Sequence, residues 1–209
     1  MTKVFGIILA GGSGTRLGGV RKADIRIGGK RLIDRATGVF RGQVSKIAVS
    51  APVDFAGDEL GDAVLIRDGE RERRGPLAGL TAAAHHFADR ASPADILVFL
   101  AVDTPFAPDD YVYRLTQEAE ARGSALATWG NALYPTNSAV RLSHLLSGLE
   151  SVAPTAGPRA ILNLLEAQTL DWSDRCSEDP FANLNTLADL IALQRRALRD
   201  LDAVVRQPS

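Results

Sequence analysis

The chain has 209 residues, of which 45% are hydrophobic and 23% charged, with a formal net charge of −1 at pH 7. That length supports one large domain or two small ones around a sizeable core, and the composition excludes global disorder. Near-neutral charge excludes a whole-molecule field for nucleic acid or an anionic membrane, and the single Cys176 excludes an internal disulfide framework and a cysteine-built zinc site.

Sparse cysteine fits a reducing compartment. The apolar run Val4–Ala10 ends in glycines rather than in a signal-peptide cleavage site, and Ile96–Val102 is far too short to cross a bilayer. The expectation is a soluble, cytoplasmic protein: a single domain over residues 1–205 with a frayed tail at 206–209.

Val4–Ala10 reads as a buried strand feeding a glycine-rich loop. Leu32, Ile33, Ala36, Val39 and Phe40 lie near helical spacing, so a helix is predicted from about Leu32 to Phe40. Lys46–Ser50 and Ala63–Ile66 read as strands. Pro76 suits the first turn of a helix continuing through Leu77–Phe87. Ile96–Val102 is an uninterrupted apolar run, as expected of a central parallel strand covered on both faces. Asp109 and Asp110 suit the start of a helix that Gly123 closes. Ala125–Thr128 reads as a strand, Val140–Leu149 and Pro158–Glu166 as helices, and Phe181–Asn185 as a short strand or extended segment. Thr186 with Asp189 reads as a helix cap, and a long helix runs to about Val205. Strands alternating with helices through the first 105 residues imply an α/β fold, a mostly parallel Rossmann-like sheet with helices on both faces.

The stretch LAGGSGTRLGGVRK at 9–22 offers backbone N–H groups at glycines, a general anion-binding design. Two common templates fail on it. The dinucleotide fingerprint needs a glycine where Leu17 stands, and the P-loop needs a lysine where Val20 stands. Arg16 remains as a bidentate fork for phosphate oxygens and Lys22 as a point charge; a turn with two solvated cations is the competing reading.

Asp103 lies at the carboxyl end of the central strand, where open α/β sheets bind ligands and where a carboxylate can share Mg²⁺ with substrate phosphates. Alternatively it caps the Thr104–Pro105 turn. Asp68, after the third strand, can accept the two adjacent donors of guanine's Watson–Crick edge, or simply form a turn before Gly69. Asn183 and Asn185, two apart, share a face if extended, and can bind a heterocycle or metal shell; Asn185 can also help cap the next helix. His85 and His86 are adjacent in a predicted helix and so form no metal pair, while Trp129 and Trp172 read as packing residues.

LAGGSGTRLGG followed by Lys22, then GPLAGL, VDTP and NLNT before a C-terminal helix, resembles the molybdenum cofactor guanylyltransferases over nearly the whole chain. The resemblance implies a nucleotidyltransferase (glycosyltransferase-A-like) fold. It implies GMP transfer from GTP to molybdenum-loaded molybdopterin with release of pyrophosphate. The family's GTP loop falls on Leu9, Ala10, Gly11 and Gly12; its catalytic and phosphate-binding groups fall on Arg16, Lys22 and Asp103; its guanine-reading carboxylate falls on Asp68. Asp103 is also the implied Mg²⁺ ligand, with Mn²⁺ as a substitute. Asn183 and Asn185 fall on the pterin side. Transient contact with cofactor-insertion and molybdoenzyme maturation proteins is a further expectation, with no nucleic acid and no membrane. Departures from the family pattern are Arg21 before the lysine, Ser50-Ala51-Pro52 where an asparagine often stands, Tyr134-Pro135 for His-Pro, and Leu187 for a proline. Rival readings are a nucleotidyltransferase using CTP (for molybdopterin cytosine dinucleotide) or making a sugar nucleotide, and a non-catalytic nucleotide-binding accessory protein.

Overall fold

The computed structural model describes residues 2–11, 18–55, 60–68, 76–153 and 155–205. Gly12, Arg16 and the tail at 206–209 lie outside the described residues.

Strand β1 (Val4–Leu9) leads to a short 3₁₀ turn (Lys22–Asp24), a small hairpin of β2 (Arg26–Ile27) and β3 (Lys30–Arg31), and helix α1 (Leu32–Phe40). Then come β4 (Lys46–Ala51), β5 (Val64–Arg67), α2 (Pro76–Ala88) and β6 (Ile96–Ala101). The second half holds α3 (Tyr111–Arg122), β7 (Ser124–Trp129), β8 (Ala132–Arg141), α4 (Leu142–Ser151), α5 (Pro158–Leu164), β9 (Gln168–Asp171) and α6 (Leu187–Val205). Among the described residues no helix is long and apolar enough to cross a membrane.

The main sheet has seven strands in the order β5-β4-β1-β6-β8-β7-β9. Only β8 runs against its neighbours; the other pairings are parallel. All six residues of β6 are buried, as its unbroken apolar run requires of a strand covered on both faces. Period-two alternation splits β1 between two cores: Ile8 packs with α1, α3 and α6 on one face, while Phe5, Ile7 and Leu9 pack with α2, α4 and α5 on the other. Gly123 ends α3 at φ 93°, and a Cβ there would stand 2.0 Å from His144 Nδ1, so only glycine fits.

Several expectations need correction. Val140 is in β8 and not in a helix; α4 begins at Leu142. Helix α3 does start at Asp110, its N-cap, as the acidic pair suggests; the Asp110 side chain makes no cap hydrogen bond, and its Oδ1 accepts from Trp172 Nε1 at 2.8 Å. Of the two readings of Phe181–Asn185 the extended segment holds, since it pairs with no strand; β4 passes to β5 with no helix among the described residues between them. Strict strand–helix alternation therefore fails there and at the β2–β3 hairpin. Strands β2, β3, β8 and β9 come without a sequence expectation.

The pairing of β7 with β8 is irregular: Leu126 faces Ser138, yet Ala127 faces Tyr134. Pro135, Thr136 and Asn137 thus stand out of that ladder, and Pro135, with no N–H to donate, suits such a place. The β6–β8 ladder stops at Phe99 opposite Ser138. Beyond it the Asn137 side chain takes over, Oδ1 accepting from the Ala101 N–H at 2.9 Å. A side chain thereby fixes the strand end that delivers Asp103.

Candidate nucleotide site

The chain builds β4 and β5 on one side of β1 and then crosses to β6 on the other. Ligands of open α/β sheets bind at such a reversal, outside the carboxyl ends of the strands. A cleft of about 250 Å³ lies there. Its β1 wall carries Leu9 and Gly11, its β6 wall Ala101, Val102 and Asp103, and β4 and the end of β5 add Ser50 and Asp68. Lys22, Gly79, Thr136, Asn183 and Asn185 complete it.

Lys22 Nζ donates to Asp103 Oδ2 at 2.7 Å and to Asn185 Oδ1 at 2.8 Å. The paired Lys22 and Asp103 side chains are each 16% exposed, so screening by solvent is reduced without full burial. The Asp103 carboxylate therefore faces a cation in the cleft. The Thr104–Pro105 turn is closed instead by Thr104, whose N–H and hydroxyl both donate to Ala101 O. Asn185 keeps its side chain for Lys22 because Thr186 and Asp189 cap α6 themselves: Asp189 Oδ2 accepts from the Thr186 N–H at 2.7 Å, and the Asp189 N–H donates to Thr186 Oγ1 at 3.2 Å. Leu184 N–H donates to Asp103 O at 3.0 Å, tying the Asn183–Asn185 segment to β6's end. Asn183 Oδ1 is buried and has no partner among the described residues.

Asp68 lies on the β5 side. Its N–H extends the ladder to Ala51 O at 3.0 Å. Burial raises its carboxyl above the ordinary value of 3.8; its own backbone N–H opposes this and Asp54 adds to it. A Cβ on Gly11 would stand 3.1 Å from Asp68 Oδ2, so the bare glycine keeps that oxygen open.

Of the residues singled out in the sequence, Leu9, Gly11, Lys22, Asp68, Asp103, Asn183 and Asn185 converge on one cleft. Ala10 does not line it: the residue is 7% exposed and its N–H is committed to Ser50 O. Arg21 turns away, pairing with Asp24 at 2.9 Å and stacking 5.4 Å from the Phe55 ring. Ser50, Gly79 and Thr136 were not marked as site residues. Gly79 sits inside the quoted GPLAGL, whereas Thr136 reaches the cleft only through the register shift in β8.

The cleft's oxygen donors bear on a metal. Asp103, Asn183 and Asn185 offer oxygen only, and no group of three or more His, Cys, Asp and Glu gathers among the described residues. One carboxylate among neutral oxygens fits a hard cation shared with substrate phosphates, and does not fit a closed protein cage.

The model of the family described as MobA-like NTP transferase domain matches residues 6–172. A molybdenum cofactor guanylyltransferase of Acidiphilium cryptum is 36% identical over 90% of this chain and 92% of its own length. One from Cereibacter sphaeroides is 35% identical over 95% of this chain and 99% of its own. The crystal structure of molybdopterin-guanine dinucleotide biosynthesis protein A from Archaeoglobus fulgidus superposes with a TM-score of 0.74 at 21% identity, covering 93% of this chain and 99% of that one, a likeness of fold. A sheet switching direction beside β1, a family match that spans that sheet, and relatives matched over nearly their whole length lead to one conclusion: the chain belongs to the MobA-like NTP transferase family.

Proposed function

We propose that this nucleotidyltransferase moves GMP from GTP to the terminal phosphate of molybdenum-loaded molybdopterin, releasing pyrophosphate. One observation carries the reading: Asp68 and the Lys22–Asp103 pair open on the same cleft from opposite sides of β4 and β1. Three inter-strand spacings separate β5 from β6, roughly 14 Å. That span lets a nucleoside lie across the strand ends, with its base at Asp68 and its phosphates at Lys22. The relatives named molybdenum cofactor guanylyltransferase support guanine as the base and molybdopterin as the acceptor.

The acceptor's phosphate monoester has a second pKa near ~6, so at neutral pH it is mostly dianionic and needs no general base. In the transfer an acceptor oxygen forms a bond to the α-phosphorus, the bond from the α-phosphorus to the bridging oxygen breaks, and that oxygen leaves with pyrophosphate. Lys22 neutralises charge on the leaving group, with Arg16 from the loop as its partner. Asp103 would hold Mg²⁺, with Mn²⁺ as a substitute. Bound there, the cation would supply charge neutralisation at the transferring phosphoryl group. Asn183 and Asn185 flank the acceptor. A cytoplasmic setting, with hand-over to cofactor-insertion and maturation proteins, completes the reading.

Pyrophosphate release with GTP, CTP and ATP, each with and without molybdenum-loaded molybdopterin, tests it. Release is expected with GTP and the pterin together, and Asp103→Ala should lower it at least ~10²-fold. Release with CTP in place of GTP would reassign the base. GTP binding without release would leave a non-catalytic binding protein.

A further inference from the structure

We propose that the Lys22 ammonium is the resident cation of the cleft, holding the metal's ligands until a triphosphate draws it away, so that metal and nucleotide enter together. This rests on the placement of the metal at Asp103 in the reading above. Lys22 Nζ stands 2.7 Å from Asp103 Oδ2 and 2.8 Å from Asn185 Oδ1. These are two of the three side chains that offer oxygen to a hard cation. An ammonium and a divalent cation need the same oxygens, and two cations a few ångströms apart repel. Among the described residues no other group donates to the Asp103 carboxylate. Lys22 therefore competes with the metal one for one.

Of the three groups, the ammonium is the one free to move. Asp103 is fixed through its carbonyl, which accepts from the Leu184 N–H at 3.0 Å. Asn185 is fixed through its N–H, which donates to Asp189 Oδ2 at 3.0 Å. The backbone of Lys22 is fixed too. Its carbonyl accepts from the Ile25 N–H at 3.1 Å, and Arg21 just before it pairs with Asp24 at 2.9 Å. The Lys22 side chain is tied through its charged end, on a flexible four-carbon stem. It can turn within the cleft while the 3₁₀ turn, β6 and the start of α6 stay in place.

A triphosphate shifts the competition in two ways. Its oxygens give the ammonium a new anionic partner, and they complete the ligands of a cation that a single carboxylate holds weakly. Without it, a metal must displace Lys22 unaided and leave a partly buried ammonium with no counter-charge, which is costly. Metal and triphosphate thus assist each other, and by linkage each tightens the other by the same factor. The arrangement also keeps Asp103 paired before substrate arrives, at a position where its side chain is only 16% exposed.

Electron paramagnetic resonance of Mn²⁺, with no nucleotide added, tests this on the unaltered protein, Lys22→Met and Lys22→Gln. Lys22→Met keeps the stem and removes the charge, so it should bind Mn²⁺ alone about tenfold tighter, within the usual range of coupling between sites. Lys22→Gln can still donate to Asp103 and should fall between. With Asp103 unpaired, Lys22→Met should melt lower than the unaltered protein, and Mn²⁺ should raise its melting temperature by more. Adding Asp103→Asn to Lys22→Met should abolish the gain in Mn²⁺ affinity. Equal Mn²⁺ affinity in Lys22→Met and the unaltered protein, or a gain that survives Asp103→Asn, would overturn the exchange. Mn²⁺ held by none of these proteins, even with GTP, would overturn the metal at Asp103 and the exchange with it. The gain in Lys22→Met alongside equal affinity of the unaltered protein for GTP and CTP would uphold the exchange and overturn the guanine reading.

Discussion

Asp68 is held in a state that suits recognition better than stability. Burial raises its carboxyl above 3.8, so the folded chain favours the neutral form more than the unfolded chain does. The linkage follows in sign: stability associated with Asp68 is present at low pH and is lost as pH rises from the ordinary carboxylate value through the raised one. At neutral pH the ionised side chain is a net burden on the folded chain. On the function proposed above guanine would relieve that burden, because its two donors would meet the carboxylate. Asp68→Asn should therefore melt no lower than the unaltered protein while losing its preference for GTP over CTP, since the new amide confronts N1–H with a donor. In the unaltered protein that preference should fade as pH falls, beginning above the ordinary Asp value, and in Asp68→Asn it should not titrate. Dissociation constants for both nucleotides between about pH 4 and 7 check this. A preference that persists in Asp68→Asn would take Asp68 out of the base slot.

At the scale of elements, the start of α6 decides where Asn185 points. Asp189 Oδ2 accepts from the N–H groups of Asn185 and Thr186 and from the Thr186 hydroxyl. Burial alone would raise the Asp189 carboxyl, but these hydrogen bonds outweigh it and hold it below 3.8. Its stabilising effect is thus present above the ordinary Asp pKa and is lost as pH falls through the lowered one. Asp189→Ala should cost about 1 kcal/mol, a normal cap loss, in urea or thermal unfolding. It should also loosen Asn185 on Lys22, so the affinity for tripolyphosphate should change along with stability. A change in stability alone would separate the cap from the site. This cap was legible in the sequence as Thr186 with Asp189, and so were β1, α1, α2 and β6, because each element's local pattern agrees with its burial. Strand β8 was not legible. Pro135, Thr136 and Asn137 lie inside β8 at its register shift, and their place beside β6 comes from the pairing of the flanking β8 residues with segments far along the chain. The Gly130-Asn131 turn between β7 and β8, with Gly130 at φ 54°, was the available hairpin signal. The two-residue strands β2 and β3 are too short for any period to show.

Across the whole molecule, the family match ends at residue 172, yet Asn183 and Asn185 come from the segment after it. An aromatic cluster holds that segment against the sheet. Phe181 is fully buried, with ring centroids of Trp172, Tyr134 and Tyr111 at 5.2, 5.3 and 5.9 Å. Tyr134, where the family often has histidine, donates its hydroxyl to Asp179 Oδ2, and Arg196 Nη1 donates to Asp179 O at 2.6 Å. Phe181 therefore anchors the Asn183 side of the cleft, whereas Asp68 and Ser50 are held by the β4–β5 ladder on the other side of β1. Phe181→Ala should cost about 3–5 kcal/mol, from the lost burial and the cavity left among three rings. Its functional effect should be unequal. GTP affinity should fall less than the pterin's, because Asp68 keeps its β4–β5 support while Lys22 loses only its Asn185 partner. The KM for the pterin should rise and turnover should fall, because the asparagine segment loses its fixed distance to Lys22. Saturating GTP would raise the melting temperature of both proteins by similar amounts, since a hundredfold excess over Kd contributes about 2.7 kcal/mol wherever the site is intact. If GTP affinity instead falls as far as the pterin's, the base slot and the acceptor side share one support, and the division of the cleft across β1 is wrong.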